Sequence, residues 1–168
     1  MMHFLVDVLC TSCSCRGDVA DCRDVSLTSV PEPADVMTSR RSMRGVLLSN
    51  NVITSLTPNT FRFLHWLTTL TLDHNFLRDL PSRVFIDLVN LRHLDLSHNR
   101  ISSLDHNVFS SLYNLKFLNL NSNDLTRVTS LQLGWLTSLT QLDLVNNSLS
   151  DVTKGTFDGV SSHDSDQF

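Results

Sequence analysis

The sequence is short of several things, and each shortage removes a class of function. Its 168 residues include only five glycines, and these are scattered. No Gly-rich loop that would cradle a phosphate is therefore present. No stretch approaches the ~18 consecutive apolar residues of a membrane-spanning helix. Thirteen basic residues stand against seventeen acidic ones, for a net charge of -4, and no basic stripe appears. Nucleic acid is thus not the expected partner. Cysteine is absent beyond Cys22. The apolar start, Met1 to Leu9, has no Lys or Arg and carries Asp7. It is also shorter than the ~15–30 residues of a signal peptide, so it reads as a partial or missing signal region, with a short strand opening the next segment as the bland alternative.

What is present is a repeat. From Leu91 the apolar residues fall at Leu91, Leu94, Leu96, Ile101, Leu104, Phe109 and Leu112, with Asn99 among them. The pattern recurs every 24 residues without insertion or deletion, giving five copies at 43–66, 67–90, 91–114, 115–138 and 139–160. A constant period in the twenties is the mark of a solenoid. Within each copy L-x-x-L-x-L alternates at its end, which predicts a short strand with Leu94 and Leu96 inward. One strand cannot bury its leucines alone. Stacked copies make a parallel sheet with neighbours roughly 4.8 Å apart, so residues 24 apart become lateral neighbours. A leucine-rich helical bundle is excluded, because the alternation and the asparagine recur in every copy.

The asparagines Asn51, Asn75, Asn99, Asn123 and Asn147 stand where the chain leaves each strand. Their amides both donate and accept, so they are expected to form a ladder satisfying turn groups buried by stacking. Phe61, Phe85, Phe109 and Phe157 are expected to stack as a ribbon, with Leu133 substituting in the fourth copy. Met43 and Gly45 replace the usual residues of repeat one, so its edge is expected to be the least regular.

These motifs resemble the extracellular leucine-rich repeat proteins with 24-residue repeats, a group that includes Toll-like receptors, variable lymphocyte receptors, Slit-type proteins and glycoprotein-hormone receptor ectodomains. The resemblance covers about Cys10 to Val160. It implies an α/β solenoid, with a curved parallel sheet on a concave face and irregular or short 3-10 returns on the convex side.

The four cysteines, Cys10, Cys13, Cys15 and Cys22, follow a C-x2-C-x-C-x6-C spacing. Read alone, that suits four thiolates on zinc or a disulfide knot. The sequence after Cys22 resembles the cysteine-rich N-terminal cap of the same proteins. The resemblance implies disulfides Cys10–Cys15 and Cys13–Cys22, a cap and linker over 10–42, and an extracellular location. The C-terminal cysteine cap usual in these proteins is missing, and 161–168 is a polar tail. The chain therefore reads as a piece of a longer ectodomain that self-associates through repeat five, with any membrane attachment lying in segments it does not contain.

Arg16-Gly17-Asp18 lies between Cys15 and Cys22. This tripeptide is recognised by integrins, but three residues match readily by accident, and the sequence alone favours coincidence. Arg40, Arg41 and Arg44 form a small basic cluster in a solvated linker, with a cleavage site or acidic-ligand contact as the alternative. Asn146-Asn147-Ser148 is the one N-glycosylation sequon, with Asn146 the acceptor.

Catalysis is not expected. His93, Asp95 and Ser97 are spaced i, i+2, i+4, which on a strand puts them about 7 Å apart, beyond triad reach. His74 and His98 share a column, but with no further ligand in place they read as uncoordinated, so neither metal nor cofactor is expected. Binding is the stronger reading. The outward positions vary freely between copies while the core positions do not. One column reads Thr71, Asp95, Asn119, Asp143; another reads Arg44, Thr68, Arg92, Lys116. Phe117 is the single large apolar residue on that face. Ligand contact is expected at Arg92, His93, Asp95, Lys116, Phe117, Asn119 and Asp143. The expected function is non-catalytic recognition of a protein ligand by a secreted or cell-surface receptor. A matrix or adhesion protein of the small proteoglycan type is the alternative, and an enzyme inhibitor a third.

Overall fold

A computed structural model describes residues 12–31, 43–150 and Thr156. Cys10, Arg40, Arg41, Val152, Phe157, Val160, the 1–9 segment and the 161–168 tail lie outside the described residues.

Seven three-residue strands form one sheet in chain order. They are β1 (Ser14–Arg16), β2 (Val19–Asp21), β3 (Gly45–Leu47), β4 (Thr69–Thr71), β5 (His93–Asp95), β6 (Phe117–Asn119) and β7 (Gln141–Asp143). From β2 onward every pairing is parallel, and from β3 each register is an offset of 24. The central residue of each repeat strand is apolar and buried: Val46, Leu70, Leu94, Leu118 and Leu142. Leucine at that position is dictated by the single inward-facing side chain a three-residue strand offers. Each buried leucine contributes about 1.5–3 kcal/mol.

The sheet is not wholly parallel. β1 and β2 are antiparallel, a hairpin joined to the parallel run. Nor is repeat one the irregular edge its sequence suggests. β3 is an interior strand, paired with β2 on one side and β4 on the other. Gly45 is explained by the cap: a Cβ there would stand 3.1 Å from Val19 Cγ2. The hairpin packs where a side chain would otherwise be.

The return side carries the phenylalanine ribbon. Phe61 and Phe85 stack with ring centroids 5.9 Å apart, and Phe85 and Phe109 at 6.4 Å. Leu133 is buried in the next repeat. Among the described residues the returns are turns rather than 3-10 helix, apart from one helical turn, α1 (Ser130–Leu133). That turn is set by a capping box between Thr129 and Gln132. Gln132 Nε2 also donates to the Leu104 carbonyl in the preceding repeat, at 3.0 Å.

At the far end, Leu139, Leu142 and Leu144 are buried, at 0, 9 and 6% exposure. These three leucines of repeat five are thus covered, Leu149 is half-buried, and Val152, Phe157 and Val160 of the expected open end lie outside the described residues.

Candidate functional site

The strand face is assembled by register. Parallel pairing sets His93 beside Phe117, and Asp95 beside Asn119 beside Asp143. The Lys116 and Phe117 N–H groups both donate to the Arg92 carbonyl, at 2.9 and 3.0 Å. Arg92 and Lys116 therefore occupy one column along the sheet's edge. All seven expected contact residues are thereby gathered on three adjacent strands or, for Arg92 and Lys116, immediately before two of them. The His93 and Phe117 rings lie 6.2 Å apart and tilted. Arg92, His93 and Lys116 are exposed, and Phe117 is half-buried.

The acidic column is less available than its outward position implies. Asp95 Oδ1 accepts from Ser97 N at 2.9 Å and Ser97 Oγ at 2.7 Å. Its other oxygen accepts from Asn119 Nδ2 at 3.2 Å. Asn119 Oδ1 accepts from Asn121 N, and Asp143 Oδ1 from Val145 N, each at 3.0 Å. These side chains tie down the chain as it turns out of the strand, a role suited to Asx residues.

The same bonds correct the spacing argument for His93, Asp95 and Ser97. The strand ends at Asp95, so Ser97 is no longer two strand steps away. It turns back, is 4% exposed and bonds Asp95 directly. The serine hydroxyl thus donates to the carboxylate, and not to the histidine, as a nucleophile would need to.

The asparagine ladder is complete across the five positions. Asn99 Nδ2 lies within 3.1 Å of the Leu72, Leu96 and Ser97 carbonyls, and its Oδ1 accepts from Leu77 N at 3.0 Å. Asn75, Asn123 and Asn147 repeat that arrangement, and Asn51 applies it to Cys22 and Leu27 of the cap. Each asparagine thus stitches its own turn to the repeat before it.

The preceding residue in each turn has positive φ: Asn50, His74, His98, Ser122 and Asn146 lie between 51° and 57°. Asn and His tolerate this left-handed region better than most residues. The His74 and His98 rings consequently stack at 4.2 Å, and His74 Nδ1 lies 3.0 Å from Asp73 Oδ2. Among the described residues no group of three or more His, Cys, Asp or Glu is placed to hold a metal. Asn146 is exposed at the same turn, and its amide reaches Ser122 Oγ at 3.5 Å.

A second ladder on the return side escaped the sequence reading. Asn90 Nδ2 donates to the His65 carbonyl and Asn114 Nδ2 to the Val89 carbonyl, both at 2.8 Å. Their 24-residue spacing was the available signal.

In the cap, Cys13 and Cys22 form a disulfide with Cα atoms 4.4 Å apart. This is one of the two pairings the resemblance implies. Cys15 is also disulfide-bonded; Cys10 lies outside the described residues.

A family model described as "Leucine rich repeat" matches residues 66–125. The fold is a leucine-rich repeat solenoid. The match covers repeats two and three and the strand of repeat four, while the stacked strands and asparagines carry the same architecture from residue 43 to residue 150. No curated protein matches the chain significantly. Leucine-rich repeats typically serve as non-enzymatic scaffolds for protein–protein interaction.

Proposed function

We propose that this chain is the ligand-recognition part of a secreted or cell-surface leucine-rich repeat receptor, and that it holds a protein ligand on the strand face. The observation that carries this reading is the contrast between columns. Leucine, asparagine and phenylalanine recur at the core positions with few exceptions, while the strand-face positions differ more between copies, and Arg92, His93, Lys116 and Phe117 stand together there. An aromatic amid polar neighbours suits a protein hot spot. The Cys13–Cys22 disulfide is compatible with an oxidising compartment, and no helix among the described residues is long and apolar enough to cross a membrane.

Because Asp95 and Asn119 are engaged in turn bonds, the energetic centre of this face is Arg92, His93, Lys116 and Phe117, with Asp95, Asn119 and Asp143 shaping its floor. A glycan on Asn146 would stand at the turn beside this face. The test is a screen of the secreted chain against an array of purified extracellular proteins, followed by Arg92→Glu with Phe117→Ala in one chain. That variant is expected to lose at least tenfold in affinity with unchanged circular dichroism. A larger loss from the return-side changes Arg83→Glu or Asn107→Lys would overturn the proposal.

A further inference from the structure

The Arg-Gly-Asp tripeptide, a coincidence by sequence alone, occupies a particular place in the fold. Arg16 ends β1 and Val19 begins β2, and the two residues pair across the hairpin. Gly17 and Asp18 are therefore the two-residue turn at its tip. Gly17 has φ +62°, while Asp18 is not among the residues of positive φ. That is the pattern of a type II′ turn with glycine first, one of the two turns that match the twist of a hairpin.

Two restraints hold this tip rigid. At the hairpin's open end the Cys13–Cys22 disulfide closes it. At the tip, the Asp18 carbonyl accepts from Arg44 N at 2.8 Å and Gly45 N at 3.1 Å, locking the turn onto repeat one. The tip is nevertheless open to approach. A Cβ added at Gly17 would meet nothing within 4 Å. Arg16 and Gly17 are exposed, and the Asp18 side chain retains 48% of its exposure. Among the described residues, the cation paired with the Asp18 carboxylate is Arg44, with Nε at 3.5 Å and a side chain 56% exposed. A pair so open to water contributes little, and a competing cation displaces it readily.

We propose that this hairpin tip is a second binding site, for an adhesion receptor that reads Arg-Gly-Asp. Such a receptor ligates the Asp18 carboxylate with a bound divalent cation, a hard ion that prefers carboxylate oxygen. It takes the Arg16 guanidinium in a carboxylate-lined pocket, where paired N–H groups match paired oxygens. The rigid turn lowers the ordering cost that a flexible tripeptide incurs on binding. The proposal rests on the extracellular reading above but uses none of the strand-face residues.

The experiment measures binding of the purified chain to the ectodomain of an Arg-Gly-Asp-binding integrin by biolayer interferometry in Mn²⁺. Non-reducing mass spectrometry first verifies the Cys13–Cys22 bond. Saturable binding is expected. EDTA or excess linear Arg-Gly-Asp peptide should abolish it. Asp18→Glu and, independently, Arg16→Ala should each lower affinity at least tenfold, with the fold of each variant checked by circular dichroism. Arg44→Ala, which frees the carboxylate, should bind as well as or better than the parent. The Arg92→Glu with Phe117→Ala chain should bind undiminished, which separates this site from the strand face. No binding by the disulfide-intact chain, or binding indifferent to EDTA and to Asp18→Glu, would overturn the proposal.

Discussion

At the scale of single residues, the asparagines do the most per side chain. Each one satisfies carbonyls in its own turn and a carbonyl and an N–H in the repeat before it. The direction of stitching matters for the last rung. A ladder that reached forward would leave Asn147 with half its bonds. Instead Asn147 donates to Leu120 O and Leu144 O at 2.9 Å and to Val145 O at 3.4 Å, and accepts from Leu125 N at 3.0 Å, as many partners as Asn99 has. The difference between them is solvent. Asn99 is 8% exposed, whereas Asn147 is half-buried. Asn99→Ala is expected to destabilise by about 1–3 kcal/mol, because water cannot reach the groups it orphans. Asn147→Ala should cost less, because water can. Equal losses in denaturant melts would show that solvent access at the two turns is the same.

Among the elements, the cap hairpin differs most from the rest, and its strand β2 carries a titration marker. Asp21 accepts from Arg23 Nε at 2.8 Å and Nη2 at 2.7 Å, a two-pronged pair. The bound guanidinium lowers the Asp21 carboxyl from its ordinary 3.8 to about 2. A carboxyl lowered in the folded state adds stability above its unfolded value and loses it as pH falls. The loss is therefore expected between about pH 4 and pH 2. Both partners are exposed, so the contribution is small. A side-chain carbon titration by NMR should place Asp21 near 2 in the parent and close to its ordinary value in Arg23→Gln. An unshifted Asp21 in the parent would contradict the pairing. The hairpin also explains why repeat one carries glycine at the head of its strand. Val19 needs the room that a side chain at Gly45 would fill.

For the whole molecule, stability runs from repeat to repeat, as expected where each unit contacts only its neighbours. The Leu48, Leu72, Leu96 and Leu120 N–H groups donate forward, to the carbonyls of Thr71, Asp95, Asn119 and Asp143. β7 is the last strand of the described sheet. Amide hydrogen exchange should therefore show Leu144 opening faster than Leu96, with protection highest in β5 and β6. Protection at Leu144 equal to that at Leu96 would show that the sheet continues past β7.

Much of this architecture could be read from the sequence because in a solenoid a tertiary contact is a fixed sequence offset. Leu70 above Leu94, Phe61 beside Phe85 and Asn75 below Asn99 all follow from the number 24, and the backbone repeat enforces it. The strand-face columns follow for the same reason. Three things needed the tertiary structure. The cap joins at an offset of 26, Val19 against Gly45, because a hairpin and not a repeat supplies the neighbouring strand. That offset brings Asp18 beside Arg44 and fixes the Arg-Gly-Asp turn against repeat one. The turn after each strand bends Ser97 back onto Asp95, which strand spacing alone forbids, because the chain leaves the extended conformation at that point. The asparagines reach backward, Asn75 to the Leu48 carbonyl and Asn99 to the Leu72 carbonyl, while the backbone N–H of the positive-φ residue before each reaches forward, a division that periodicity alone does not state. Periodicity determined which residues meet; backbone conformation between the periodic positions decided how they meet.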